Sequence, residues 1–199
     1  MDADARRARD WDVLLIGGAS GTGKSTVANV LARRFGVPFT PVDDIVTALL
    51  TLSTPEQQPV LHRFWTEPGA FDWPAERIVE HTIEVVRVLT PGVRAVIDDH
   101  LESAAPVILQ GDYLSPALVH SDDDRVRAVF IHEADESAIT ANLLAREPDA
   151  GPQPKRADVS RRFGDWLRNQ AVARGIATVD ARPWPSLIDR VLATIDADT

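Results

Sequence analysis

The 199 residues predict an α/β fold: a three-layer domain built on a five-stranded parallel sheet, with a helical lid. Three observations carry that prediction. Short apolar runs alternate with segments of helical period, the pattern of strands buried on both faces between helices. The first run ends in glycines and passes directly into a helix. Acids stand just beyond the ends of later runs.

The elements follow in order. Val13 to Ile16 is a continuous apolar run closed by Gly17 and Gly18, and it reads as a buried strand. From Lys24 the period becomes helical, with Val27, Val30, Leu31 and Phe35 on one face and Gly36 as a C-terminal cap. Residues 37–41 form a second strand, whose prolines place it at an edge. From Ile45 to about Leu101 the chain is mostly helical. One helix follows Asp43 and Asp44, a second starts at Thr54-Pro55, a break falls at 67–70, a third helix covers 74–89, and another begins at Pro91. The run 93–97 ends in Asp98 and Asp99, but Val93, Val96, Ile97 and Leu101 recur at helical spacing, so it reads as a helix with a solvated acidic face. Strands follow at 107–110 and 126–132, then a helix at 135–145. Residues 147–156, with three prolines and a glycine, read as a mobile loop. A helix at 157–174 carries Val159, Phe163, Trp166, Leu167 and Val172 on one face. A fifth strand at 176–179 and a final helix to Ile195 complete the chain. Residues 1–10 read as a flexible charged lead-in, and 11–199 as a single domain with a helical part at 44–104 and a lid at 146–162.

Composition narrows the function. The net charge of −9 counts against a nucleic-acid partner. Cysteine is absent, which excludes disulfides and thiolate chemistry. No apolar run approaches the ~20 residues of a membrane span, and the charged N-terminus has no apolar signal core. The expectation is a cytoplasmic protein without a membrane partner. Of 21 basic residues only Lys24 and Lys155 are lysines.

Residues 18–25 read Gly18-Ala19-Ser20-Gly21-Thr22-Gly23-Lys24-Ser25, the complete G-x-x-x-x-G-K-[ST] pattern between a strand and a helix, with Thr26 following. Glycines let the backbone fold into a nest of N–H donors, and the helix N-terminus faces the same point with partial positive charge. Lys24 is placed to reach the β- and γ-phosphates, and the Ser25 hydroxyl to ligate Mg²⁺. The cofactors expected are ATP and Mg²⁺. The segment 146–162 gathers Arg146, Arg156, Arg161 and Arg162, and residues 155–174 hold six basic and two acidic side chains. Phosphoryl transfer needs such positive charge on the equatorial oxygens, and a closing loop excludes water.

On IGGASGTGKSTVA at 16–28, Asp43-Asp44 after the second strand, VILQGDYLSP at 107–116 and the Arg-rich segment, nearly the whole chain resembles the P-loop NTPases, and among them the small-molecule and nucleotide kinases. The strand-Gly-Asp pattern at 107–112 is similar to 2-phosphoglycerate kinase-like proteins. The resemblance implies that Asp43 or Asp44 orients or deprotonates the acceptor hydroxyl, that Asp112 binds metal or acceptor, and that Arg146 and the Arg182-Pro-Trp184 stretch flank the adenine. It puts acceptor contacts in the helical part, where His62, Arg63, Trp65 and Thr66 are the candidates. Gln110 stands where related kinases carry an acid in the strand. The capping alternative for Asp43 or Asp44, a turn role for Asp112 and a solvated-face role for the arginines stay open. His81, His120 and His132 show no metal-ligand spacing, and Asp122-Asp123-Asp124 reads as a solvated loop. The function expected is an ATP-dependent kinase of a small-molecule hydroxyl, acting as a monomer or homodimer. The alternatives are a nucleoside or nucleotide kinase, a nucleotide-binding ATPase or switch module, and, against the charge, a nucleic-acid end kinase.

Overall fold

The structure, a computed structural model, describes residues 9–119 and 124–197. Most of the lead-in (residues 1–8), together with His120, Asp122 and Asp123, lies outside the described residues. A single parallel sheet contains β1 (Val13–Gly18), β2 (Phe39–Pro41), β3 (Val107–Gly111), β4 (Val126–His132) and β5 (Ala177–Asp180), in the order β2-β3-β1-β4-β5. Helices α1 (Lys24–Phe35), α2 (Val42–Leu52), α3 (Pro59–Thr66), α4 (Ala75–Glu102), α5 (Glu136–Arg146), α6 (Pro154–Val172) and α7 (Leu187–Ala197) complete the described residues, with short 3₁₀ turns between.

The alternation of strand side chains builds two cores. Leu14 and Ile16 of β1 join Ile108, Val129 and Ile131 against Leu31 of α1 and Val191 of α7. On the other face, Leu15, Leu109 and Phe130 meet Val86 and Leu89 of α4 and Phe163 and Leu167 of α6. The three layers are therefore α1/α7, sheet, and α4/α6. β1 lies between β3 and β4, with Gly17 paired to Gly111 and to Phe130. The short β2 takes the edge expected from its prolines.

Several boundaries differ from those read in the sequence. The helix expected at Thr54-Pro55 starts at Pro59, after a turn. The two helices expected on either side of Pro91 are one, α4, running through it. Pro91 and Gly92 are exposed, so water can serve the carbonyl that loses its N–H partner. Val85, Val86, Leu89, Val93 and Ile97 on both sides dock into the same core. The loop 147–156 is shorter than expected: a 3₁₀ turn covers Pro148–Ala150, and α6 begins at Pro154, using proline in its first turn. Val30 and Val172, expected on buried faces, are exposed, and Ala171 takes the core position near the end of α6.

Candidate functional site

The carboxyl ends of the parallel strands share one edge, where ligands bind in open α/β sheets. At the end of β1 the chain turns through Ala19–Gly23 into α1. Glycine is required by contact as well as conformation. At Gly23 (φ 90°), the N-cap of α1, a Cβ would lie 2.2 Å from the Trp184 ring; at Gly18 (φ 143°) it would lie 2.3 Å from the Ile131 carbonyl oxygen. The loop's carbonyls are taken from behind. Thr22 Oγ1 and Lys24 Nζ donate to the Ala19 carbonyl (2.9 and 2.7 Å), Ser160 Oγ to that of Ser20, and Asn142 Nδ2 to that of Gly21 (2.7 Å). Among the described residues no acceptor takes the N–H groups of Ser20, Gly21, Thr22 or Gly23, and no side chain caps α1. The result is a concave set of donors at a helix N-terminus, an anion seat.

Lys24 is 5% exposed. A buried ammonium needs an anion, and Asp112 supplies it: Nζ lies 2.6 Å from Oδ1, and Oδ2 accepts from Ser20 Oγ at 2.7 Å. Ser25 Oγ donates to Gln110 Oε1 at 3.4 Å. The neutral amide thus faces Ser25, and the acid two residues on faces the lysine.

The register brings the acids together. Pro41 pairs with Gln110, so Asp43 and Asp112, each two residues further, leave the sheet at the same level. Burial and the Asp112 charge push the Asp43 carboxyl above the usual carboxylate range, with Asp44 adding to this and Lys24 opposing it. Pro41, not an aspartate, is the N-cap of α2, and no side chain caps it; Asp43 and Asp44 stand in the first turn, where the helix dipole favours anions. Asp43 and Asp44 are both solvent-exposed, Asp43 only partly desolvated by the cleft. Burial, then Asp112 and Asp43, push the Tyr113 phenol up to about 12, so it stays protonated.

The lid arginines are held by acids of their own segment and of its neighbours. Glu147 accepts from Arg156 (2.7 Å) and Arg146 (2.9 Å), and these bonds together with one from Gln153 bring its carboxyl down to about 2. Asp158 accepts from Arg161 (3.1 Å) and Arg162 (2.7 Å); Arg161 also meets Asp165, and Arg162 meets Glu76. Of these, Arg156 lines a cavity of about 140 Å³ with Ser20, Asp112 and Tyr113. Arg161 and Arg162 do not. Arg182 Nε donates to the buried Glu133 at 2.9 Å, beside Trp184 on the Gly23 side of the loop.

That small cavity opens, through shared Ser20, Thr82, Tyr113 and Arg156, into a larger one of about 780 Å³ between α2, α3, α4 and the start of α6. The helical part does form this cavity, but not with the polar residues the sequence suggested. His62 bonds Ser53 Oγ (3.0 Å), Arg63 pairs with Glu84 (2.6 Å), and Thr66 donates to the His62 carbonyl; none lines the cavity. Trp65 does, beside Leu61 and Phe64 of the same helix. Trp65 was a candidate from the sequence; Tyr113, Thr82, His81, Phe64 and Phe71 line the cavity and were missed by sequence reasoning. The one available signal was Tyr113, directly after Asp112 at a strand end.

No protein-family model matches the chain. It is 30% identical over 116 residues to the 2-phosphoglycerate kinase of Methanococcus maripaludis, covering 54% of this chain and 37% of that protein. It is 25% identical over 205 residues to the 2-phosphoglycerate kinase of Thermococcus kodakarensis, covering 96% and 68%. The chain thus spans well under half the length of the former relative. Among solved structures, shikimate kinase from Acinetobacter baumannii superposes with a TM-score of 0.53 over 98% of both chains at 15% identity. Sheet order, anion seat and these likenesses agree: the chain has the P-loop kinase fold.

Proposed function

We propose that this protein is an ATP- and Mg²⁺-dependent kinase of a small-molecule hydroxyl. The observation that carries the reading is the adjacency of three parts: free N–H donors around Lys24, the Asp43/Asp112 pair at the same sheet edge, and an organic-sized cavity that shares Ser20, Tyr113 and Arg156 with the small one lined by Asp112. The N–H groups of 20–23 bind the phosphates. Lys24 exchanges Asp112 for phosphate oxygens, and Arg156 exchanges Glu147 for the transferring group. Asp43 holds the acceptor hydroxyl and takes its proton; its raised pKa brings it nearer the operating pH of a base. The acceptor oxygen forms a bond to the γ-phosphorus, the bond to the bridging oxygen breaks, ADP leaves, and the proton passes to solvent.

Mg²⁺ fits the donors present. Ser25 and Asp112 offer hard oxygens, and this ion keeps most of its ligands as waters and phosphate oxygens, so one or two protein oxygens suffice. When bound it neutralises charge on the β- and γ-phosphates. Arg146, Arg182 and Trp184 flank the side where the base would lie, and Arg161 and Arg162 back the lid. The same reading makes 44–104 the acceptor-binding part and 146–162 the lid of one domain, Asp44 a further acceptor contact, and the protein a cytoplasmic monomer or homodimer. No helix among the described residues is long and apolar enough to cross a membrane.

The test is ADP release from Mg·ATP with pooled hydroxylated acceptors, beside Lys24→Ala. Acceptor-dependent turnover is expected, reduced at least about 100-fold in the variant. ADP release that is equal with and without every acceptor would overturn the kinase in favour of an ATPase or switch.

A further inference from the structure

The larger cavity is lined mainly by apolar side chains. Its volume, about 780 Å³, lies in the range of sites that enclose drug-sized ligands. Its wall is dominated by Leu50, Phe64, Trp65, Phe71, Ile78 and Val85. No carboxylate lines it; of its two cations, Arg156 is the one assigned above to the transferring group, and the exposed Lys155 donates to the Phe71 carbonyl at 2.8 Å. A molecule carrying both a carboxylate and a phosphate would give up its hydration here against apolar walls, which is costly without fresh cationic partners.

A further observation points to a ligand. Trp65 and Phe71, in contact with each other at 6.1 Å between ring centroids, are 64% and 67% exposed, large apolar surfaces beside the cavity they line.

Resting on the kinase reading above, we infer that the acceptor is an uncharged molecule with an apolar, ring-sized body. The body lies among Phe64, Trp65 and Phe71, and the hydroxyl to be phosphorylated points past Tyr113 toward Asp43.

The experiment measures Mg·ATP-dependent ADP release with three pools: neutral aryl- and alkyl-substituted alcohols and diols; charged hydroxy acids, including the phosphoglycerates, gluconate and shikimate; and neutral polar acceptors, sugars and nucleosides. The first pool is expected to support turnover. With the best member, Trp65→Ala and Phe71→Ala, both exposed and so tolerant of truncation, are expected to raise the acceptor KM about tenfold while leaving kcat and the KM for ATP unchanged. Turnover confined to the second or third pool would leave the kinase standing and overturn this inference. So would an acceptor KM that moves in neither aromatic variant. ADP release that no pool lifts above the Lys24→Ala background would instead remove the kinase reading, and this inference with it.

Discussion

Asp43 sits in the first turn of α2, where partial desolvation and then the nearby Asp112 charge disfavour its ionised form, although the residue still reaches solvent. Its pKa is therefore higher folded than unfolded, and at neutral pH its charge subtracts from stability. Asp43→Asn is expected to raise the melting temperature at pH 7 by about 2 °C. That gain fades as pH falls through the raised pKa and is gone below the unfolded value of about 3.9. The same substitution is expected to lower kcat by about 10²-fold or more and to remove the acid limb of the pH–rate profile, which in the unaltered protein lies above the ordinary carboxylate range. A stabilised protein with unchanged kcat would assign the base elsewhere. Glu147 offers a complementary test. Because it holds both Arg146 and Arg156, Glu147→Gln is expected to lower the KM for ATP about two- to threefold, and less in high salt. What was legible at this scale was what is local in the chain. A phosphate-binding loop is a contiguous backbone shape, so Gly18 to Ser25 announces itself. The Lys24–Asp112 pair, 88 residues apart, is set by strand register, which leaves no mark in spacing.

At the level of elements, the lid is fastened to the loop by a small separate core. Ile139 and Leu143 of α5 and Ala157 of α6 are fully buried together, and Asn142 and Ser160 of the same helices hold the loop carbonyls. Leu143→Ala is expected to cost about 2–4 kcal/mol in urea unfolding, within the usual range for a buried leucine, and to weaken nucleotide binding because those carbonyl contacts loosen with it. Strands and amphipathic helices were readable because each carries its own period. The continuity of α4 was not: Pro91 is a local stop signal, and it is overruled by core contacts on both sides and by its position on the wet face. The large cavity was equally hidden. Its walls come from four helices, the loop at Ser20, the turn at Phe71, Tyr113 and Gln153, spread from Ser20 to Val159, and each aromatic residue taken alone reads as ordinary packing.

For the whole molecule, the anion seat couples binding to global stability. Mg·ATP at about 100 times its Kd is expected to add about 2.7 kcal/mol, roughly 5–10 °C in melting temperature, and Lys24→Ala is expected to lose most of that shift. The layered sheet was the most legible feature of all, since alternating apolar strands and helices have few other ways to bury their faces. One aspect of its topology reaches further. β2 and β3 lie side by side, Phe39 against Ile108, yet everything from Val42 to Pro106 is strung between them. The chain leaves the sheet at the end of β2 and returns at the start of its parallel neighbour β3, one strand-width across (about 4.8 Å) and one strand length back. Residues on the cavity side of that excursion can be exchanged while its two points of attachment and the phosphate side stay as they are. The same scaffold could thus be retuned, by evolution or by an engineer, from one acceptor to another without rebuilding the half that handles the nucleotide.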